Sequence, residues 1–452
     1  MQLLALTFLI LIILGTVLLS LPVARQPGHP VDLLNCLFTA TSATTLTGLV
    51  TVSTADTWTL FGKIVLLALI QLGGLCYMVA GTIIALLLGL RLGLRDRLKL
   101  PDMHGKFGQS EALRVTWYAL SLTLIIECLG ALCFSTHWLL HHHAATLRDA
   151  AFSGIFYAIS AFCNAGFELA PGFAGLAHPA LRHDTFVLIV IGVLASLGGL
   201  GLGVITELAA LPRTRRLNLH SKIVLTTTLA IFILGMLLLT LFEANNVQSL
   251  ASMDNPASRL LTTGFLSVSA RSAGFSPVDV TTLSPPSLLL LSALIFIGGA
   301  AGGMTGGVKV STISVILLAI LALLRQRPDI EVFRRRISGE MVRLALSLVC
   351  LALLALALLI IGISVTEITL KGLAPTADTM TRYVHLVFEV VSAFGNAGMR
   401  TGVTPTLEPL SRVLLIIAML LGRLGPLVFV YIFAQPKRPL LRRLPVEAVM
   451  AG

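Results

Sequence analysis

The chain has 452 residues, 56% hydrophobic and 12% charged, with a formal net charge of +11. A soluble domain carries about 25% charged residues, and several apolar runs here exceed the ~18 residues that mark a spanning helix, so lipid and not water is the main solvent. The positive charge does not indicate nucleic acid: most of it lies in alternate connectors without interleaved aromatics.

Residues 3–21 predict a first membrane helix. They also fit the apolar core of a secretory signal ending at Leu21-Pro22-Val23-Ala24, but no Lys or Arg precedes the run, as a signal requires. A short apolar segment over 33–44, a glycine turn at Gly48 and a long helix over 60–90 follow. The same plan recurs with 112–135, 150–162 and 184–210 around Gly166. It recurs again with 221–242, 256–270 and 287–323 around Gly274, and with 341–363, 379–394 and 410–434 around Gly398. The four glycines are separated by 118, 108 and 124 residues, which makes the chain a fourfold repeat. The repeats cover 1–90, 91–211, 212–323 and 324–434, and 435–452 is a cytoplasmic tail.

The turns share a pattern. Ser392-Ala393-Phe394-Gly395-Asn396-Ala397-Gly398-Met399 matches Ser160-Ala161-Phe162-Cys163-Asn164-Ala165-Gly166-Phe167. Ser269-Ala270-Arg271-Ser272-Ala273-Gly274-Phe275 is one residue shorter, and Ser42-Ala43-Thr44-Thr45-Leu46-Thr47-Gly48-Leu49 diverges most. Each short segment of ~12 residues rises only ~18 Å as a helix, too little for a ~30 Å hydrocarbon core. Each must therefore enter the membrane and turn back where protein shields its backbone. Asp32, Asp149 and Asp378 stand before three of them and Asp254-Asn255-Pro256 before the other, which reads as capping at the outer end. The partially negative carboxyl ends then point inward and favour a cation where the turns meet. Glycine permits the positive φ that such a turn needs, and converging turns offer backbone carbonyls to a dehydrated ion. The expected fold is an all-α integral membrane protein. Its four pseudo-symmetric repeats, each helix, pore half-helix and helix, surround one central ion pore, with about eight spanning helices.

Arg91, Arg95, Arg97, Lys99, Lys106 and Arg114 lie in one connector, and Arg213, Arg215, Arg216 and Lys222 in another. Arg325, Arg327, Arg334, Arg335, Arg336 and Arg343 fill a third, and Lys437, Arg438, Arg442 and Arg443 the tail. This positive-inside pattern places these segments and both termini in the cytoplasm.

The last helix of the third repeat is interrupted by Gly298-Gly299-Ala300-Ala301-Gly302-Gly303-Met304-Thr305-Gly306-Gly307-Val308-Lys309. Small residues also let membrane helices pack closely, but six glycines in twelve residues hold a helix poorly. The preferred reading is an unwound intramembrane loop that gates beneath the turns. Val308 between Gly307 and Lys309 rules out a phosphate-binding loop. Arg423, central in the last apolar helix, is costly there unless it faces a cavity or partner, and Lys309 is a similar case. Glu127, Glu207 and Glu389 are candidate buried carboxylates. His137 and His141-His142-His143 read as a solvated outer loop. The six cysteines read as small buried packing residues, without disulfide or metal spacing. No catalytic constellation is present in the sequence.

Taken together, Thr45-Leu46-Thr47-Gly48-Leu49, Asn164-Ala165-Gly166-Phe167, Ser272-Ala273-Gly274-Phe275 and Asn396-Ala397-Gly398-Met399 resemble the Ktr/Trk/HKT superfamily of potassium transporters over essentially the whole chain. Because the chain begins directly with the first repeat, it is most similar to the bacterial Ktr membrane subunits. The resemblance implies a filter formed by Leu46, Thr47, Gly48, Asn164, Ala165, Gly166, Ser272, Ala273, Gly274, Asn396, Ala397 and Gly398, with K⁺ as the ion bound there. It also implies a gate at 298–307 faced by Arg423. A serine at the first glycine position goes with sodium preference in plant members, so Gly48 points to potassium. Arg271-Ser272, standing where Cys163-Asn164 and Gly395-Asn396 occur, departs from fourfold symmetry and implies fewer or weaker ion sites. Further implications are inward K⁺ uptake across a bacterial plasma membrane with Na⁺ as a coupling or activating ion, a homodimer, and a cytosolic ring of nucleotide-binding regulatory subunits on the basic connectors. No covalent cofactor is expected. The alternatives are a Na⁺-preferring member, or a Na⁺- or H⁺-coupled carrier for a small solute, since broken helices also bind solutes near the midplane.

Overall fold

The computed structural model describes residues 2–87, 109–141, 146–369 and 377–425, apart from 174, 180, 183, 254, 272 and 328. Arg91, Arg95, Arg97, Lys99, Lys106, His142, His143, Asp254, Ser272 and the whole tail, including Lys437, Arg438, Arg442 and Arg443, lie outside the described residues.

The first repeat is formed by α1 (Gln2–Ser20), α2 (Leu33–Thr45), the single turn α3 (Thr54–Thr57) and α4 (Leu60–Leu87). The second has α5 (Gln109–Leu140), α6 (Leu147–Phe162), α7 (Thr185–Leu200) and α8 (Leu202–Thr214). The third has α9 (Leu219–Phe242), α10 (Pro256–Ser269), α11 (Pro285–Phe296) and α12 (Val310–Leu324). The fourth has α13 (Gly339–Ser364), α14 (Ala377–Gly395) and α15 (Pro409–Leu424). The short helices α2, α6, α10 and α14 are the expected re-entrant segments; α2, α6 and α14 pack between the longer helices of their own repeats, and α10 packs between α9 and α7 of the second repeat. By length and composition, three described helices can cross a membrane alone: Trp117–Leu140, Leu219–Phe242 and Gly339–Ile368. Leu4–Ser20, Leu60–Cys76, Pro285–Phe296 and Val310–Leu324 are shorter apolar helices. Exposed leucines and isoleucines run along α1, α5, α9 and α13, as lipid-facing surfaces require.

Two of the second helices are broken, where the sequence indicates one break. The expected gap separates α11 from α12. The other lies between α7 and α8, which bend by 103° at Gly201 inside the expected 184–210 span. Hydropathy does not register this bend, because both halves are apolar. Gly201 has φ 82° and ψ 151°, and a Cβ there would stand 2.9 Å from the Ala301 carbonyl oxygen and 3.0 Å from the Gly303 nitrogen. The two breaks therefore pack against each other.

The caps agree with expectation in part. Asp32 accepts from the Asn35 amide, and Asn255 from the Ala257 amide ahead of Pro256 at the first helical position. In α6, however, Thr146 is the cap. Its hydroxyl accepts from the Asp149 amide at 3.1 Å while Asp149 takes back the hydroxyl hydrogen bond at 2.7 Å, so Asp149 serves from the first turn. Asp378 likewise lies inside the first turn of α14, where its charge complements the helix dipole.

On the side away from the basic connectors, the end of each first helix or the segment just after it is fastened to the start of the second helix of its repeat. The Thr59 amide donates to the Ala24 carbonyl at 3.0 Å, and His137 Nε2 meets Asp184 Oδ2 at 2.6 Å. The Ser284 amide donates to Glu243 at 2.8 Å, and the Glu408 amide to Glu367 at 2.7 Å. His137 is thus a half-buried residue in the last turn of α5, stacked on Phe186, and not part of a solvated loop. The cysteines also divide: Cys36 and Cys163 are buried, but Cys128, Cys133 and Cys350 are exposed on the apolar flanks of α5 and α13. The third basic connector contains a small hairpin that the sequence pattern does not announce. Its strands, β1 (Ile330–Val332) and β2 (Arg335–Ile337), join through Phe333 and Arg334 at positive φ, and Lys222 of α9 sits over the Phe333 ring.

Candidate functional site

The carboxyl ends of the four short helices meet on one axis. Gly48, Gly166, Gly274 and Gly398 have φ of 85°, 67°, 79° and 79°, a region that L side chains enter at a cost of about 1–2 kcal/mol. The four turns form a closed ring. A Cβ on Gly48 would strike the Ala165 carbonyl oxygen, one on Gly166 the Ala273 oxygen, one on Gly274 the Ala397 oxygen, and one on Gly398 the Thr47 oxygen. Each glycine is therefore read by the carbonyl that precedes the next glycine, and the fourth closes on the first. Only hydrogen at the α-carbon permits that approach.

Each turn is built the same way. The amides of Thr47, Ala165, Ala273 and Ala397 donate at 2.8–3.0 Å to the carbonyls of Ser42, Ser160, Ser269 and Ser392. The residues after the glycines, Leu49, Phe167, Phe275 and Met399, are buried and anchor the outgoing strands. Leu46, Asn164 and Asn396 carry the extra left-handed residue, with φ of 58°, 55° and 50°. Ser272, at the corresponding place in the third turn, lies outside the described residues. Asn164 Nδ2 donates to Ala195 O at 3.2 Å, and Asn396 Nδ2 to Met419 O at 3.0 Å and Thr47 Oγ1 at 2.7 Å. Two turns are thereby tied to the second helices of their own repeats, and the fourth also to the first.

A further glycine set supports the ring. Gly73, Gly198 and Gly422 lie against the Thr44, Phe162 and Phe394 carbonyls at the ends of α2, α6 and α14. The motif is visible in the chain as Leu72-Gly73-Gly74-Leu75, Leu197-Gly198-Gly199-Leu200, Ile297-Gly298-Gly299-Ala300 and Leu421-Gly422-Arg423-Leu424. The sequence reading did not connect them. Arg423 occupies the position of the second glycine.

Directly against the ring lies the segment between α11 and α12. Its ends zip together: Gly298 N donates to Val308 O at 2.9 Å, Val308 N to Phe296 O at 3.0 Å, and Val310 N to Gly299 O at 3.0 Å. The Ala300 and Met304 amides donate at 2.9 Å to the Gly199 and Gly198 carbonyls at the end of α7, so the loop satisfies acceptors that a broken helix leaves open. Thr305 Oγ1 accepts from the Gly299 amide at 3.0 Å, and Gly306 packs against the Asn396 side chain. Gly307 (φ 67°) and the half-buried Gly302 complete the bends; Ala301 is exposed and Gly303 buried against Gly199. Lys309 Nζ donates to Thr305 O at 2.6 Å. Arg423 is fully buried, and its Nη1 donates to Met304 O at 2.7 Å, so α15 of the fourth repeat grips the loop of the third.

Of the buried carboxylates, Glu127 accepts from Gln71 at 2.9 Å and lies 3.6 Å from Cys163 Sγ, behind the second turn. Glu207 accepts from the Asn218 amide at 3.0 Å on the side of the basic connectors. Glu389 accepts from the Thr401 amide at 2.8 Å and the Val403 amide at 2.9 Å in the strand leaving the fourth turn. Among the described residues, no group of His, Cys, Asp and Glu is arranged to hold a metal ion.

Apolar helices carrying four re-entrant helices that meet in one backbone ring define a multi-pass membrane protein organised around a single axis. The family model for TrkH, described as a cation transport protein, matches residues 4–439, and the chain belongs to this family of transport proteins; it is not an enzyme. It is 33% identical to the Ktr system potassium uptake protein B of Bacillus subtilis, over 98% of this chain and 94% of that one. It is 31% identical to the potassium/sodium uptake protein NtpJ of Enterococcus hirae, over 100% of this chain and 97% of that one. The structure of the potassium transporter TrkH from Vibrio parahaemolyticus superposes with a TM-score of 0.69 at 20% identity, over 95% of this chain and 84% of that one, and shares the fold.

Proposed function

We propose that this chain is the potassium-translocating membrane subunit of a bacterial uptake system, conducting K⁺ inward along the axis of the glycine ring. The observation that carries this reading is the closed ring itself: four same-direction turns, each glycine packed on the carbonyl of the next. The turns of Leu46–Gly48, Asn164–Gly166, 272–274 and Asn396–Gly398 act as the filter, their carbonyl oxygens replacing water around the ion. The four half-helix carboxyl ends add partial negative charge. The segment 298–307, with Lys309 and Arg423, acts as the gate, a role supported by its packing against the ring and its bond to Arg423. A membrane potential of 100 mV supplies about 2.3 kcal/mol per charge, enough for roughly fiftyfold accumulation.

The relatives named for potassium uptake support K⁺ as substrate, and the one named for potassium and sodium supports Na⁺ as coupling or activating ion. The name "Ktr system" supports a multi-component assembly. We place a cytosolic ring of nucleotide-binding regulatory subunits beneath the basic connectors, a second copy of the chain beside the first, and both termini in the cytoplasm. Binding of the ring biases gating through its different affinity for open and closed states.

The test is radioactive rubidium uptake into liposomes holding the purified protein, competed by K⁺ and then Na⁺. Strong competition by K⁺ and weak competition by Na⁺ is expected. Equal competition refutes a potassium-selective path.

A further inference from the structure

The residue two places after each ring glycine is Val50, Glu168, Ser276 and Arg400 in the four repeats. Two are charged, with opposite signs, and they belong to repeats two and four. The ring joins repeat one to two, two to three, three to four and four to one, so these two lie at opposite corners. They nevertheless meet: Arg400 Nη2 stands 3.2 Å from Glu168 Oε2. The pair is largely enclosed, with side-chain exposures of 20% for Arg400 and 7% for Glu168.

The loop that follows Glu168 folds over the pair. The Leu176 amide donates to Glu168 Oε1 at 2.9 Å, Gly175 packs on the carboxylate, and Arg400 Nη2 donates to Phe173 O at 3.0 Å. The same loop is pinned to the first repeat by the Gly172 amide, which donates to Asp56 Oδ2 at 2.7 Å. The Ser53 hydroxyl and that amide hold the Asp56 carboxyl below its usual range. Burial pushes the Glu168 carboxyl up, and Arg400 draws it back. Nothing in the ring needs these charges for its own geometry, since repeats one and three close their turns with Val50 and Ser276 in their place.

We propose that Glu168 and Arg400 form a charge-neutral clasp across the outer entrance of the ring and set the affinity with which monovalent cations enter. The inference rests on the transport reading above. Arg400 reaches from the fourth repeat to fasten the loop of the second, and its guanidinium, left alone, would repel an arriving cation. Glu168 cancels that charge at the place where the ion sheds water. The clasp acts on entry, before the ion reaches the ring carbonyls, so it affects K⁺ and Na⁺ alike. These are positioning and electrostatic roles, separate from the discrimination made at the ring.

Initial rates of rubidium uptake into proteoliposomes at low ionic strength test this. Glu168→Gln leaves Arg400 uncompensated and should raise the KM for rubidium about tenfold, with little change in maximal rate, an effect that shrinks as choline chloride screens the charge. Arg400→Gln leaves the carboxylate and should lower KM. The exchange Glu168→Arg with Arg400→Glu should restore KM toward the parent value. In all three the ratio of K⁺ to Na⁺ needed for half-competition should stay constant. KM moving in the same direction in both neutral variants, a changed competition ratio, or no KM shift overturns the clasp and leaves the pair a brace. If Glu168→Gln is not recovered as a folded protein, Arg400→Gln decides alone, because a KM that fails to fall refutes the proposal. Failure of the parent protein to take up rubidium selectively would sink the transport reading instead.

Discussion

Replacing Gly48 by serine places a side chain at φ 85°, where the ring leaves no room. The left-handed backbone alone costs about 1–2 kcal/mol. The new Cβ would also overlap the Ala165 carbonyl and stand 3.0 Å from Gly166 Cα, so the first and second turns must move apart. Both terms act on an oxygen proposed to hold the ion. If that strain is relieved by widening the ring, it appears as lost preference for K⁺ over Na⁺, and 1.4 kcal/mol corresponds to about tenfold. The expected result is roughly a tenfold fall in the Na⁺-to-K⁺ concentration ratio that halves rubidium uptake. Gly28→Ser is the control: Gly28 has φ 86° but nothing within 4 Å of its missing Cβ, so it pays the backbone cost without touching the ring and should keep parental selectivity. A folded Gly48→Ser protein with an unchanged competition ratio would refute the assignment of this carbonyl ring to ion discrimination.

Deleting Ala301–Gly303, with the zipped ends of the loop retained, should raise uptake several-fold; unaltered uptake by a folded variant would contradict the gate. Glu389→Ala removes the acceptor of the Thr401 and Val403 amides, each costing about 1–3 kcal/mol when left buried and unpaired. A clear fall in unfolding temperature in detergent is expected, and an unchanged one would show that this carboxylate does not hold the outgoing strand. Burial would raise the Glu243 carboxyl pKa, but hydrogen bonds from Ser249, Ser287 and Ser284 hold it below the usual range. Its stabilisation is therefore present at neutral pH and is lost as pH falls through that depressed pKa. Glu243→Gln should lower the unfolding temperature at pH 7 and flatten its decline in acid, and a variant with the parental acid profile would argue against this linkage.

The ring was legible because positive φ at a tight contact admits one residue type, and that residue recurs at one place in every repeat. The break at 298–309 was legible because its glycine density contradicts a helix outright. The break at Gly201 was not, since a single glycine between two apolar helices reads as an ordinary packing residue until the loop that fills the bend is known. The same ambiguity hid Gly73, Gly198 and Gly422, although each follows a leucine at the same place in its repeat. Thr146 and Asp149 both fit a helix start, and only the register of hydrogen bonds separates cap from first turn. The fastenings at Asp184, Glu243 and Glu367 were illegible for a different reason: each partner lies about 40 residues away and changes chemical type from repeat to repeat.

The closed ring has a consequence for how four duplicated units can diverge. At the position three before the ring glycine the chain has Thr45, Cys163, Arg271 and Gly395, four unrelated side chains, whereas the glycine is the same each time. That earlier position also touches other repeats, Cys163 Sγ lying 3.6 Å from Gln71 Oε1 and Gly395 against Ile295, yet it accepts four different residue types. A side chain at any ring glycine is pressed on the neighbouring repeat's carbonyl, and no substitution in the neighbour can retract a backbone oxygen. Such a change lacks a local second-site remedy, so at the ring each unit is held to glycine by being the wall of the next.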